Sequence, residues 1–272
     1  MRLLGWNCQG LGRPSTVRAL HHLLRRDNPD VVFLRETKSK DAVIERIMRR
    51  GNFHGLVMVK PEGAAGSLAL LWKENVKLSI KIAEKNFIDM EISMVDAMPF
   101  LLTCVYGDPI KHRRKLVWDR RVCALHSHQQ HRWLCYGDFN SYLSWHEKDG
   151  GSQKCSKDID IFRDFIDKCD FLDLGFHGPM YTWSNKRRGQ DNIRIRLDRA
   201  LCNPAWRQAF ANAAIFMKPT VSCDHCPILL DTDGGRSTGR RPFRFESMWL
   251  FHNDCKNAAS RAWSLPTTVP VV

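Results

Sequence analysis

The sequence predicts an α/β fold in which two sheets pack face to face and helices cover their outer faces. Three observations support this prediction. The chain begins with apolar runs that alternate with amphipathic segments, its middle holds consecutive strand candidates, and helical patterns return in its second half. Strand candidates with no room for helices between them pair antiparallel. Two face-packed mixed sheets flanked by helices satisfy this order.

The first unit of the chain alternates strands and helices. It comprises strand candidates at 2–7 and 31–36 and helix candidates at 15–26 and 40–49. Apolar residues recur at helical spacing in the first helix, and Ser15 or Thr16 is a candidate N-cap. A β-α-β-α beginning of this kind is typical of α/β folds.

The rest of the chain contributes mainly strands. Strand candidates lie at 56–60, 67–72, 77–82, 87–94, 100–106, 132–138, 193–201 and 227–231, and helix candidates at 112–128 and 158–168. The segment 193–201 alternates apolar and polar residues, like a strand with one buried face. After Asp231 the chain becomes polar and rich in Gly and Arg. We therefore expect one domain over 1–231, followed by a basic linker and tail over 232–272.

Composition restricts the class of partner. The 272 residues carry a formal net charge of +13, and such an excess attracts phosphate backbones, although a solvated surface without a partner is the alternative. No apolar run approaches the ~18 residues of a membrane span, so no membrane partner is expected. The ten cysteines are scattered, several of them within apolar runs, which suits reduced thiols and excludes a disulfide-linked partner. We expect a soluble intracellular monomer, with nuclear import signals at 111–115 and 239–244.

Polar residues collect at or near the ends of the strand candidates. In chain order they are Asn7, Glu36, Tyr106, Asp138, Asn140, Asp198, Asp224 and His225. A single Asp or Asn at such a position is usually a turn former, but the chemistry of the set is coherent. Hard oxygen ligands suit Mg²⁺ or Mn²⁺, a His beside an Asp can carry positive charge, and amides and hydroxyls can donate to phosphate oxygens. Hydrolysis of a phosphodiester by water requires groups of these kinds.

Other chemistries have less support. The sequence has neither the GxxxxGK[ST] loop of nucleoside triphosphate sites nor the GxGxxG turn of dinucleotide sites. One CxxC, at 223–226, lacks the second Cys pair of a four-ligand zinc site.

Eight motifs follow one another in a specific order and spacing. They are GWNCQGLG (5–12), VVFLRETK (31–38), GSLALLWK (66–73), VYGDP (105–109), WLCYGDFN (133–140), GPMYTWSN (178–185), IRLDRAL (195–201) and SCDHCPILL (222–230). Together with RPFRFESMWL (241–250), they resemble the endonuclease domain of plant LINE-type (non-LTR) retrotransposons, within the endonuclease/exonuclease/phosphatase superfamily.

The resemblance implies a fold, an activity and a role for each site residue. The fold would be the four-layer α-β-β-α sandwich of DNase I, and the activity would be nicking of DNA that leaves a 3′ hydroxyl. The implied metal ligands are Asn7, Glu36 and Asp224. The implied catalytic residues are Asp138, which orients or deprotonates the attacking water, His225, which Asp198 orients, and Asn140 and Tyr106, which contact the phosphate. Thr182 is implied as a DNA contact.

A basic cluster beside Trp183 supports DNA binding. Its members are Lys186, Arg187, Arg188, Arg194, Arg196 and Arg199, and a loop carrying them could sit over a DNA groove and contact phosphates. A solvated loop is the equally weighted alternative. Gln9 departs from the acidic residue of the apurinic-site repair enzymes, so abasic-site repair is not inferred. Cys223 replaces the usual Ser of the related elements, and a thiol is a weaker hydrogen-bond donor.

Three functions therefore remain open. The chain is an active Mg²⁺- or Mn²⁺-dependent DNA nickase, an enzyme of the same fold that acts on another phosphoester, or an inactive relic that still folds and binds nucleic acid. No reverse-transcriptase motif follows, so a fragment of an element is expected. Every mapped catalytic position retains a suitable residue type, which favours the nickase.

Overall fold

The computed structural model describes residues 1–61, 67–94, 97–124, 131–152, 157–219 and 223–234, with 254, 257, 260, 261 and 264. The chain divides into two compact units, Met1–Gly235 and Arg236–Val272. In the second unit, the described residues are mostly helical and the Ser264 N–H donates to the carbonyl of Ser260. The basic run 239–244 and the motif 241–250 lie outside the described residues, and the predicted domain boundary after Asp231 stays a prediction.

The described residues of the first unit form fifteen strands and five helices. The strands are β1 (Arg2–Asn7), β2 (Val31–Arg35), β3 (Gly55–Val59), β4 (Leu68–Trp72), β5 (Val76–Glu84), β6 (Phe87–Met94), β7 (Ala97–Tyr106), β8 (Trp133–Asp138), β9 (Lys148–Asp149), β10 (Leu172–Asp173), β11 (Trp183–Ser184), β12 (Arg194–Ile195), β13 (Asp198–Cys202), β14 (Ala214–Met217) and β15 (Ile228–Asp231). The helices are α1 (Pro14–Asp27), α2 (Asp41–Arg50), α3 (Lys111–Ala124), α4 (Lys157–Lys168) and α5 (Pro204–Ala209), and single 3₁₀ turns cover Trp145–Glu147 and Gly189–Asp191.

The strands form two six-stranded sheets and one small one. The first sheet has the order β14-β15-β1-β2-β4-β3, the second has the order β10-β13-β8-β7-β6-β5, and β11-β12-β9 form the third. In the large sheets only the central pairs β1–β2 and β7–β8 are parallel. Both sheets are therefore mixed, as predicted.

The apolar core has three layers. Residues from both large sheets, among them Leu3, Phe33 and Leu102, meet in the central layer. The outer face of the first sheet packs against α1 and α2, and the outer face of the second packs against α3 and α4. Successive residues of a strand point to opposite faces of the sheet. A strand with both faces buried therefore contributes alternate residues to the central layer and to an outer layer. The predicted α-β-β-α sandwich is confirmed.

Two element predictions are wrong in detail. Helix α1 begins at Pro14 after Arg13, without a side-chain cap, so neither Ser15 nor Thr16 is its N-cap. Proline is favoured at the first helical position because its missing N–H needs no partner there. The predicted strand 193–201 is interrupted between β12 and β13, because its first part pairs with β9 and β11 and its last part with β8 and β10.

Several short elements were not predicted from the sequence. Among them, β14 has four residues and α5 has six. The side chain of Asn203 caps α5 by accepting from the Trp206 N–H, and Pro204 follows it. The Asn-Pro pair is a recognisable helix start.

No helix in the described part of the chain has the length and hydropathy needed to cross a bilayer. No disulfide links the seven cysteines whose side chains the structure describes, and six of them are buried.

Candidate active site

Strand alternation brings five polar side chains to one end of the space between the large sheets. They are Asn7, Arg35, Tyr106, Asp138 and Asp198. Each lies an even number of positions from a central-layer apolar residue of its own strand, and therefore on the same face. Asn7 is opposite Arg35 in the first sheet, and in the second sheet Asp138 is opposite both Tyr106 and Asp198. The site lies where the central apolar layer ends.

His225 completes this group from the turn before β15. Its Nδ1 lies 2.9 Å from Asp198 Oδ2, and Trp6 Nε1 donates to its backbone carbonyl at 3.0 Å. Arg35 Nη2 lies 2.5 Å from the other oxygen of Asp198, and the side chains of Arg35 and Asp198 are fully buried. The imidazole is therefore held in one orientation by a carboxylate that is itself fixed.

Charges around His225 favour its protonated form. Burial works against the imidazolium, but the nearby Asp198 and Asp138 outweigh burial and raise the pKa of His225 to about 9. Burial also acts to raise the pKa of Asp198, but the charges of His225 and Arg35 hold it below its ordinary value. For Asp138, burial and the charge of Asp198 raise the pKa. His225 Nε2 lies 3.7 Å from Asp138 Oδ2, so a cationic ring sits beside two carboxyl groups.

Glu36 is joined to this group through hydrogen bonds. Asn7 Nδ2 donates to Glu36 Oε1 at 2.9 Å and to Asp138 Oδ2 at 3.2 Å, and the Tyr106 hydroxyl donates to Glu36 Oε1 at 2.9 Å. Burial acts to raise the pKa of Glu36, but the bonds from Lys38, Asn7 and Tyr106 lower it overall. Glu36 is therefore an ionised carboxylate at neutral pH.

The residues around Glu36 fit a divalent cation. Asn7 Oδ1 is buried and has no hydrogen-bond partner. A buried polar atom without a partner is uncommon in proteins, and amide and carboxylate oxygens are the ligands of Mg²⁺. Asp138, Asp198 and His225 also place ligand atoms within 4.8 Å of one another. We favour the oxygen set, because His225 already uses Nδ1 to bind Asp198.

Asp224 stands next to His225 but makes other contacts. Its Oδ2 accepts from Gln9 Nε2 at 2.6 Å and from Trp183 Nε1 at 3.0 Å. Its Oδ1 lies 3.4 Å from the Cys223 thiol, which also lies 3.1 Å from the Asn7 carbonyl oxygen. Neighbouring side chains thus orient this carboxylate, and its assignment as a metal ligand stays a proposal.

Asn140 and Thr182 support the carboxylates. Asn140 has a left-handed backbone with φ 50°; its N–H donates to Asp138 Oδ1 at 2.8 Å, and its Nδ2 donates to the Gly107 carbonyl at 2.7 Å. Thr182 is fully buried, and its Oγ1 accepts from the N–H groups of Leu197 at 2.9 Å and Asp198 at 3.0 Å. A buried hydroxyl engaged with backbone does not fit the predicted direct contact with DNA, so we assign Thr182 to support of Asp198.

The basic loop between β11 and β12 lies outside this core. Arg187 and Arg188 are exposed there. Arg194 is half exposed, forms an ion pair with Asp149 at 2.5 Å and stacks its guanidinium 4.9 Å from the Tyr181 ring centroid. Arg194 is therefore committed to neighbours on β9 and before β11, whereas Arg187 and Arg188 present their side chains to solvent.

Sequence reasoning missed several buried ion pairs. It did not single out Arg35, although Val31, Phe33 and Arg35 share a face and thereby carry a charge into the core. Two arginines that it placed in the DNA-binding cluster, Arg196 and Arg199, are instead buried, and each pairs with each of two acids in a four-residue network. The members are Arg196, Arg199, Glu147 and Asp173. The acids of this network are distant in sequence from the arginines, and no local pattern pairs them.

Comparisons with known proteins agree with this fold. The profile of the Endonuclease/Exonuclease/phosphatase family matches residues 4–213. No curated protein sequence matches the chain. Solved structures do match, at identities that show the fold alone.

One similar structure is the AP endonuclease LMAP from Leishmania major, with a TM-score of 0.66, 19% identity and coverage of 84% of this chain and 86% of that one. Another is the 3′-5′ exonuclease NExo from Neisseria meningitidis, with a TM-score of 0.63, 17% identity and coverage of 85% and 99%. A third is the endonuclease domain of TRAS1, a telomere-specific non-LTR retrotransposon, with a TM-score of 0.62, 14% identity and coverage of 85% and 97%.

Proposed function

Because the chain belongs to the endonuclease/exonuclease/phosphatase family, which contains metal-dependent nucleases and phosphatases, we propose that it is a Mg²⁺-dependent phosphodiesterase that nicks DNA. One observation carries the proposal. The His225–Asp198 pair, Asp138 and the Asn7–Glu36 pair come from both sheets and meet at one end of the sandwich. This is the convergence that water-dependent cleavage of a phosphodiester requires.

The proposed metal ligands are Asn7, Glu36 and Asp224. A bound Mg²⁺ would neutralise a phosphate oxygen and stabilise the leaving oxyanion. On the protein side, Asn7 holds Glu36 and Asp138 together through one amide nitrogen. The Asn7 oxygen, which has no protein partner, is free to face the cation.

Asp138 is the proposed base. Its Oδ1 is fixed by the Asn140 N–H, and its raised pKa brings its basicity closer to neutral pH. In hydrolysis it accepts a proton from water as the water oxygen bonds to phosphorus. The bond from phosphorus to the 3′ oxygen then breaks, and that oxygen takes up a proton to leave a 3′ hydroxyl.

His225 and two polar side chains are the proposed phosphate contacts. The imidazolium of His225, held by Asp198, places positive charge and an N–H donor beside the developing charge on the phosphate. Tyr106 and Asn140 now donate to Glu36 and to the Gly107 carbonyl. Each must exchange that partner for a phosphate oxygen when substrate binds.

DNA is the proposed substrate because the loop after Trp183 carries cations that are open to solvent. Arg187 and Arg188 are exposed, and the whole chain carries a net charge of +13. The Neisseria 3′ phosphatase NExo, a structural neighbour, is described bound to a product DNA hairpin. Descent from a LINE-type element, a monomeric state and a nuclear location belong to the same proposal. An inactive relic is disfavoured, because the catalytic groups form one connected network of hydrogen bonds.

Relaxation of supercoiled plasmid tests this function. We expect the parent to nick plasmid in Mg²⁺, EDTA to stop the reaction, and Glu36→Ala and His225→Ala to lower the rate by roughly a hundredfold or more. Thermal unfolding of each variant checks that it is folded.

Glu45→Ala and His54→Ala are matched controls, since both side chains are exposed and lie outside the site. Both should nick at the parental rate. Equal nicking by the parent, Glu36→Ala and His225→Ala would reject the proposal, because the cleavage would then come from a contaminant. Folded parent protein that never nicks DNA would also reject it.

A further inference from the structure

A basic cavity lies at the opposite end of the first sheet from the candidate active site. Its volume is about 620 Å³, within the range of ligand pockets in proteins. The residues that carry its chemistry are Arg18, His21, Arg25, Arg50, Lys73 and Phe53. The cavity borders Asn28, just before the point where the Asp30 N–H bonds to the Arg2 carbonyl at the start of β1. Asn7 ends that strand, so roughly 17 Å separates the two regions.

Three elements build the cavity. Helix α1 contributes Arg18, His21 and Arg25, which recur at helical spacing and form one stripe on its surface. The last turn of α2 contributes Arg50. Lys73, at the end of β4, is held in place because its Nζ donates to Asn28 Oδ1 at 2.6 Å.

The floor of the cavity is apolar and firmly packed. Phe53 is buried, and a Cβ at Gly51 would lie 2.4 Å from its ring. The side chain of Leu24 adds to the floor and is also buried. The site therefore combines a rigid apolar base with basic walls.

The cations of the cavity lack acidic partners. No carboxylate lines it in the described part of the chain, and no ion pair there involves Arg18, Arg25 or Arg50. The neighbouring Arg26, by contrast, pairs with Asp27 at 2.8 Å. Burial and then the charges of Arg50 and Arg25 lower the pKa of His21, so arginines from two helices act on one ring.

Helix electrostatics explain only part of this arrangement. Basic residues near a helix C-terminus complement the macrodipole, which accounts for Arg25 and Arg50. It does not account for Arg18, which lies nearer the middle of α1, or for Lys73, which is not in a helix. An anion between these side chains would relieve the mutual repulsion of their charges.

We propose that this cavity is a second nucleic-acid site, which holds one nucleotide of a single strand with its phosphates against Arg18, Arg25 and Arg50. The arginines offer planar pairs of donors that match phosphate oxygens. The concave apolar floor suits a sugar or an unstacked base, whereas a regular duplex would keep its bases stacked inside. The site is separate from the catalytic end, so the protein can hold a single strand there while the other end acts.

Fluorescence anisotropy with a labelled single-stranded oligonucleotide of about 12 nucleotides tests the site. The full chain is measured in EDTA, so that no strand is cut. Arg18→Gln/Arg25→Gln/Arg50→Gln removes three exposed cations from the cavity. Arg46→Gln/Arg49→Gln/Lys77→Gln removes three exposed cations elsewhere and leaves the same net charge.

The cavity variant should bind roughly tenfold or more weakly than the parent, because charge-assisted bonds to phosphate are lost. The slope of log affinity against log salt should become shallower by about 0.7 for each lost contact. The control should change affinity far less, and both variants should relax plasmid at the parental rate. Equal losses in the two variants would overturn the proposal, since net charge alone would explain binding.

Competition with adenosine monophosphate distinguishes a strand from a free nucleotide. We expect weak competition, because a strand adds flanking phosphates that the mononucleotide lacks. If adenosine monophosphate competed as effectively as a strand does, the assignment of the cavity to a single strand would be overturned. If the parent does not relax plasmid, the nickase proposal is rejected, whereas the anisotropy test of the cavity is unaffected.

Discussion

Asp198 shows how single residues shape the site. It accepts contacts from Arg35 on one oxygen and from His225 on the other, and all three side chains are buried. A buried carboxylate with one partner removed is strongly unfavourable, because an uncompensated charge remains in the interior. The orientation of the His225 imidazole therefore depends on a strand-end arginine that does not contact the ring.

Thr182→Val tests the supporting role of that threonine. Valine has nearly the same shape but leaves the N–H groups of Leu197 and Asp198 without an acceptor. We expect the free energy of unfolding to fall by about 2 kcal/mol or more, measured by urea denaturation. Thr182→Ser keeps the hydroxyl and should lose less. If Thr182→Val left stability unchanged but weakened DNA binding, the supporting role would be contradicted and Thr182 would again be assigned to a direct contact with DNA.

At the level of elements, the central strands β1 and β8 lie close together at Gly5. A Cβ there would lie 2.5 Å from Tyr136 Cε1. The Tyr136 hydroxyl lies 2.5 Å from the Ile228 carbonyl oxygen and 3.1 Å from that of Leu3, so its single proton is shared between them and ties the second sheet to two strands of the first. The ring cannot move aside without losing those bonds.

Gly5→Ala should therefore destabilise the sandwich. We expect a loss of about 2 kcal/mol or more in the free energy of unfolding, since overpacking a buried contact displaces the sheets. Gly12→Ala is the matched control, because no atom lies within 4 Å of the added Cβ, and it should change stability by less than about 0.5 kcal/mol. Similar thermal and urea midpoints for both variants would contradict this packing.

At the level of the whole molecule, acid stability depends on the buried network of Glu147, Asp173, Arg196 and Arg199. Burial acts to raise the pKa of both acids, but the two arginines lower each of them below the ordinary values of 4.5 and 3.8. A lowered folded pKa contributes stability that is present above the unfolded value and is lost as pH falls through the folded one. The contribution is therefore full at neutral pH and declines below about pH 4.5.

Glu147→Gln should reveal this dependence. At pH 7 the variant should be less stable than the parent by about 3 kcal/mol, because both arginines lose a charged partner. The difference should shrink as pH falls below 4.5, since the parental carboxylate is then protonated. Urea denaturation across this range measures it, with exposed Glu45→Gln as the control. A difference that stays constant with pH would contradict the assignment.

Much of the architecture could be predicted because it follows local periodicity. The apolar runs ending in Asn7 and Asp138 predicted strands, and the GDFN and DHCP turns placed polar residues next to strand candidates. Arg196 shows the limit of this reasoning. The alternation of apolar and polar residues around Arg196 predicted one continuous strand. The chain instead leaves the small sheet after β12 and enters the second large sheet at β13. Such an exchange depends on pairing with Glu147 and Thr182, which are distant in sequence.

The site residues lie far apart in the chain, which restricts when the site can form. Asn7 lies in the first strand and His225 just before the last, so the side chains of the site come from almost the whole length of the sandwich domain. During synthesis, the ribosome must release nearly all of this unit before the centre can assemble. A polypeptide that stops before residue 225 therefore has Asp198 without its imidazole partner.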